Sequence, residues 1–143
     1  MAIHFTDGRD PAPRAREIFH FYKPETIQRW DDQPESTRYL LENNLPALPT
    51  EGLRDCQVSA ITGLEASLAQ NRPRALVHMA TGAGKTFTAI NSAYRLLNHG
   101  GAKRILFLVD TRNLGKQAQQ EFHAFKPQGR ESFFHENHIV QRL

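Results

Sequence analysis

The chain has 143 residues and only one cysteine, Cys56, so no disulfide can form within it, and its thiol suits a reducing compartment such as the cytoplasm. Long apolar runs are also missing. Nothing approaches the roughly 18 consecutive apolar residues of a membrane-spanning helix, so no membrane partner is expected. The opening "MAIHFTDGRD" carries charge early and lacks an apolar core, which argues against a signal peptide. There is no internal repeat and no low-complexity tract. Metal-ligand clusters are scarce as well: His135 and His138 sit close together, but no cysteine or second cluster joins them, and they read as part of a solvated tail. His78 reads as a core or strand-end residue, and Trp30 and the phenylalanines as packing rather than a base-stacking platform.

What is present is uneven. Residues 1–50 hold 6 Lys/Arg against 8 Asp/Glu, whereas residues 51–143 hold 12 against 7. The basic part also contains "MATGAGKT" at 79–86, directly after the apolar run "RALVHM". A buried-type strand that ends in a glycine-rich turn and continues as a helix leaves several N–H groups without intrahelical partners. Together with the helix dipole they suit a phosphate. Gly82 and Gly84 permit backbone angles that a Cβ disfavours. In the motif G-x-x-x-x-G-K-[ST], the lysine (here Lys85) reaches the β- and γ-phosphates and the hydroxyl (here Thr86) ligates Mg²⁺. Met79 departs from the motif's first glycine, but the G-x-G-K-T tail is intact.

The surrounding pattern is that of a parallel α/β sheet. Residues 74–79 and 104–109 read as two buried centre strands. Between them Phe87, Ile90, Tyr94 and Leu97 recur at helical spacing, and Asn98-His99-Gly100-Gly101 marks the stop. A further helix should carry Leu114, Ala118, Phe122 and Phe125 on one face. Upstream, Gln57, Ile61, Leu64 and Leu68 share a helical face. Gln57 is either a polar residue near a helix start or an adenine reader, since a glutamine amide matches the N6/N7 edge of adenine. Residues 1–50, with "PAP" at 11–13 and prolines at 24, 34, 46 and 49, read as a connector with two short helices, at "KPETIQRW" and "PESTRYLLENN".

Taken in order, "LRDCQVSAI", "ALVHMATGAGKTFTAI" and "AKRILFLVDTRNLGKQAQQEF" resemble the first three motifs of a superfamily-two helicase motor. More narrowly they resemble the motor (R) subunit of type I restriction enzymes, and "PRAREIFHFYKPETI" is similar to that subunit's connector. The resemblance implies a partial RecA-like domain over 51–143, preceded by the mostly helical connector of 1–50. It implies ATP and Mg²⁺ as cofactors, Gln57 on adenine, and Thr81, Gly82, Ala83, Gly84, Lys85 and Thr86 as the nucleotide loop. It places Thr111 and Arg112 on the DNA backbone, which also suits the carboxyl end of a parallel strand. Double-stranded DNA and the specificity and modification subunits of a restriction complex are the implied partners.

Parts of such a motor are not found in these residues. After Thr86 the only acids are Asp110, Glu121, Glu131 and Glu136, and none forms the acidic pair that holds Mg²⁺ and orients water. The chain therefore reads as a piece of a larger translocase that does not hydrolyse ATP alone. Two rivals stay open: a small phosphate-loop kinase with Asp110 at its acceptor site, and a non-catalytic remnant.

Overall fold

Local end signals decide where this chain becomes helical. The computed structural model describes residues 2–9, 13–32, 35–70, 72 and 74–142. The first helix, α1 (Pro24–Asp31), starts with proline in its first turn, where no N–H is needed, and carries Glu25 near the positive end and Arg29 near the negative end. Helix α2 (Thr37–Asn43) is capped by Ser36, whose Oγ accepts from Tyr39 N–H at 3.2 Å. Helix α3 (Asp55–Ala69) begins with Gln57 at its third position, and Gln57 Oε1 accepts from Arg54 N–H at 2.9 Å. Glu136 Oε2 does the same for Phe133 N–H at 2.8 Å at the start of α6 (Phe134–Asn137). Gly84 precedes α4 (Lys85–Asn98), and Thr111 caps α5 (Arg112–Ala124) by accepting from Leu114 N–H at 3.3 Å. Helix α4 stops where expected: Gly101 is left-handed at φ 70°, and Ala102 N–H closes back on Leu96 O at 3.0 Å.

The core lies between α4, α5 and α6. Ile90, Ala93, Phe122, Phe125 and Phe134 are buried together, with Tyr94, Leu97 and Val140 against them. Phe134 shows that the tail is not solvated throughout. Its N–H donates to Phe125 O at 2.9 Å, and its ring meets Phe122 edge-on at 5.4 Å. Of the tail histidines only His138 joins this packing, its ring 4.7 Å from Phe134 and its Nε2 3.0 Å from Asn98 Nδ2; His135 stays exposed and stacks on the exposed His123 at 4.9 Å. Burial holds the His138 pKa below its ordinary value. Among the described residues no group of histidines and acids has metal-site geometry.

A second contact joins α3 to α4 and to the upstream segment. Glu65 and Arg95 are both buried and form a two-contact ion pair, Arg95 Nε to Glu65 Oε1 at 2.5 Å and Nη2 to Oε2 at 3.3 Å. Arg95 Nη2 also donates to Pro46 O at 2.7 Å. Helix α2 packs on α3, and Ile61 is fully enclosed.

The strands differ from the reading of the apolar runs. The sheet among the described residues is a two-stranded antiparallel pair, β1 (Ile3–Phe5) with β2 (Arg16–Ile18), in register Ile3 to Ile18. It adjoins a small aromatic cluster of Phe5, Tyr22 and Trp30, which accords with a packing role for Trp30. No parallel pair forms among the described residues, and 74–79 and 104–109 make no ladder with each other or with any other described segment. Their apolar side chains stay outside: Leu76 is 94% exposed, Leu106 67% and Leu108 80%. His78 is exposed too. An apolar run supplies a strand with a face to bury, but a ladder also requires a neighbour's backbone within hydrogen-bonding distance. Of the proline-rich connector, Pro11, Ala12 and Pro34 lie outside the described residues.

Candidate functional site

Residues 80–86 form a tight loop at the start of α4. Ala83 N–H closes a turn on Ala80 O at 3.2 Å, and Gly82 and Gly84 are both left-handed, at φ 77° and 82°. The N–H groups of Lys85, Thr86 and Phe87 have no backbone acceptor among the described residues, as expected for the first turn of a helix. The loop therefore presents a row of unmet donors at the positive end of a 14-residue helix. That arrangement has the chemistry of an anion cradle. Lys85 is exposed and folds back so that its Nζ donates to Ala80 O at 3.2 Å. Thr86 is half-buried, and Thr81 and Gly82 are exposed.

Gln57 reaches this loop from α3. It is buried, and its Nε2 donates to Ala83 O at 3.1 Å while Oε1 holds Arg54 N–H. Arg54 adds a second tie, Nη1 to Gly82 O at 2.9 Å. Gln57 is thus a strut between the α3 start and the loop as well as a helix residue. A primary amide has a second N–H and a second lone pair, so these bonds do not exhaust it.

Gly84 sits where strut and helix meet. A Cβ there would overlap Gln57 Nε2, whereas a Cβ at Gly82 would meet nothing within 4 Å. Gly84→Ala should therefore cost about 2–4 kcal/mol, combining the left-handed penalty with loss of the Gln57 bond. Gly82→Ala should cost only the backbone penalty, about 1–2 kcal/mol. Urea unfolding of the two variants checks this ranking; equal costs would show that Gln57 does not restrain the loop.

Thr111 and Arg112 are exposed at the opening of α5. The Thr111 hydroxyl serves as the helix cap, the bland role open to a threonine there, and that bond leaves its own O–H available to donate. Both residues line a cavity of about 1260 Å³ bounded by 103–112, α4, α5 and the tail 137–142. Asp110 lines it too, but no residue of the 80–86 loop does. The fold thus brings Gln57 to the loop and leaves Thr111 and Arg112 on a separate cavity. An acceptor carboxylate for a kinase needs the phosphate loop beside it, and Asp110 lines a cavity without that loop. What sequence reasoning missed is the Glu65–Arg95 clamp; the visible signal was that Glu65 falls four residues after Ile61 and Arg95 five after Ile90, each on the buried side of its helix.

The family described as "Type III restriction enzyme, res subunit" matches residues 50–142. The chain is 35% identical over 121 residues to the endonuclease subunit of the type I restriction enzyme EcoKI of Escherichia coli (strain K12), an alignment covering 84% of this chain and 10% of that subunit. It is 27% identical over 107 residues to the SauCOLORF180P endonuclease subunit of Staphylococcus aureus (strain COL), covering 75% of the chain and 11% of the subunit. To the EcoAI endonuclease subunit of Escherichia coli it is 38% identical over 73 residues, covering 51% and 9%. The chain spans about a tenth of the length of these relatives. No solved structure matches it. The resemblance to type I motor subunits is borne out by these relatives, and with α3, the loop, α4 and α5 all inside the matched stretch, the chain belongs to the type III restriction enzyme, res subunit, family.

Proposed function

We propose that this chain carries the nucleotide-binding part of an ATP-dependent DNA translocase, the motor portion of a restriction endonuclease subunit. Residues 1–50 serve as its connector, and 51–143 as part of a RecA-like domain. Lys85 and the N–H groups of the loop bind the triphosphate, the Thr86 hydroxyl ligates Mg²⁺, and Gln57 reads adenine with its remaining N–H and lone pair. Mg²⁺ supplies charge neutralisation between the phosphates when bound. Thr111 and Arg112 contact the backbone of double-stranded DNA, and the whole enzyme works with specificity and modification subunits, in the cytoplasm.

The observation that carries the reading is the loop itself: left-handed Gly82 and Gly84, unmet N–H donors, an exposed lysine and a glutamine tied to the same turn. Titration of the chain with Mg·ATP and Mg·GTP tests it. The parent should prefer ATP, and Gln57→Ala should lower that preference about tenfold, within the range for one bidentate base contact. An unchanged ratio would return Gln57 to a purely structural strut. No binding of either nucleotide would defeat the reading as a whole.

A further inference from the structure

Away from the loop, a polar cleft of about 550 Å³ opens where the N-terminal hairpin and α1 meet the turn after α4. Among the described residues six cations line it, Arg9, Arg16, Arg29, Arg38, Lys103 and Arg104, against two carboxylates, Asp7 and Glu35. This sorting is a product of folding, since residues 1–50 are acidic overall. Of their 6 Lys/Arg, 4 line the cleft, while of their 7 Asp/Glu among the described residues 2 do. Asp7 is committed to Arg9, Nη2 to Oδ2 at 2.7 Å, and Arg9 holds its carboxyl below the usual range. Arg9 lies over the Trp30 ring at 5.9 Å and Arg16 over Phe5 at 5.7 Å, so both guanidinium planes are oriented by aromatic faces. Arg29, Lys103 and Arg104 are exposed, with their charges in reach of a ligand.

We infer that this cleft binds the phosphodiester backbone of duplex DNA, as a second phosphate site joined to Thr111 and Arg112 by the segment 104–112. The inference rests on the DNA reading above. Several guanidinium groups from both parts of the chain suit an extended polyanion, because they offer forked donors to successive phosphates. The eight residue steps from Arg104 to Arg112 reach at most about 29 Å. That upper limit is about eight base pairs of axial rise, and Lys103 and Arg104 line both the cavity and the cleft, so a single duplex is long enough to touch both sites.

Binding of fluorescent 20-base-pair duplexes of unrelated sequence to the 143-residue chain tests this across a salt series. Arg29→Ala/Arg104→Ala should weaken every duplex about tenfold and lower the salt slope by about 1.8, the value for two phosphate contacts. Arg29→Lys/Arg104→Lys should retain the slope, and circular dichroism should match the parent throughout. Parent-like binding and slope in the double alanine variant, with Arg112→Ala still weakened, would overturn the cleft and leave the DNA reading standing. No duplex binding by the parent would overturn both. A loss of tripolyphosphate binding with duplex binding intact would mean a free-phosphate site and would also overturn the inference.

Discussion

Lys85→Ala should lower the affinity of the chain for Mg·ATP about hundredfold while leaving its fold unchanged. Lys85 is exposed, and its one contact is a 3.2 Å bond to Ala80 O, so removing the side chain leaves no buried group unpaired. A charged hydrogen bond to phosphate is worth about 1.5–3 kcal/mol, and a hundredfold change is about 2.7 kcal/mol. Isothermal titration gives the affinity and thermal melting the fold. Phosphate release should stay at background in both proteins, because no acidic pair follows the loop to orient water. Parent-like affinity in the variant would remove Lys85 from the phosphate site. Turnover that distinguishes parent from variant would show that a water-orienting acid is already present among these residues.

Breaking the α3–α4 clamp should produce the largest loss of stability. In Glu65→Ala the Arg95 guanidinium keeps only Pro46 O as an acceptor while staying buried. Removing one partner of a buried pair typically costs about 3–5 kcal/mol. For a chain of this length that is a fall in melting temperature of roughly 10–15 °C. Replacing both groups by apolar ones, Glu65→Leu/Arg95→Met, should restore most of the stability, since the cost lies in the stranded charge rather than in loss of the pair itself. Because the clamp fixes α3 against α4, Glu65→Ala should also weaken nucleotide binding through Gln57 and the loop. A loss below about 1 kcal/mol would mean that water reaches Arg95 and the site is not sealed.

The helices were legible because their signals are local. Pro24, Ser36, Gln57, the Gly82–Gly84 turn, the Gly100–Gly101 stop and Thr111 each act within a few residues, and the helix ends fall where they stand. The short α6 was not legible. "SFFH" shows only two phenylalanines in a polar stretch, and Phe134 becomes core because Phe122 of α5 and Phe125 just after it lie beneath it.

The amino-acid order by itself determined the loop: two glycines, a lysine and a threonine between an apolar run and a helical repeat set its turn, its donors and its charge. It also determined that Gln57 opens a helix, because a glutamine at the third position can bond the N–H before the first turn. Tertiary structure decided the rest. It alone set Gln57 against Ala83, paired Glu65 with Arg95 across 30 residues, and gathered cations from an acidic segment into one cleft. It also left 74–79 and 104–109 without a ladder. The physical reason is the same in each case. Caps and turns are satisfied by atoms a few residues away, whereas ion pairs, charge clefts and ladders need partners whose positions only the packed chain specifies.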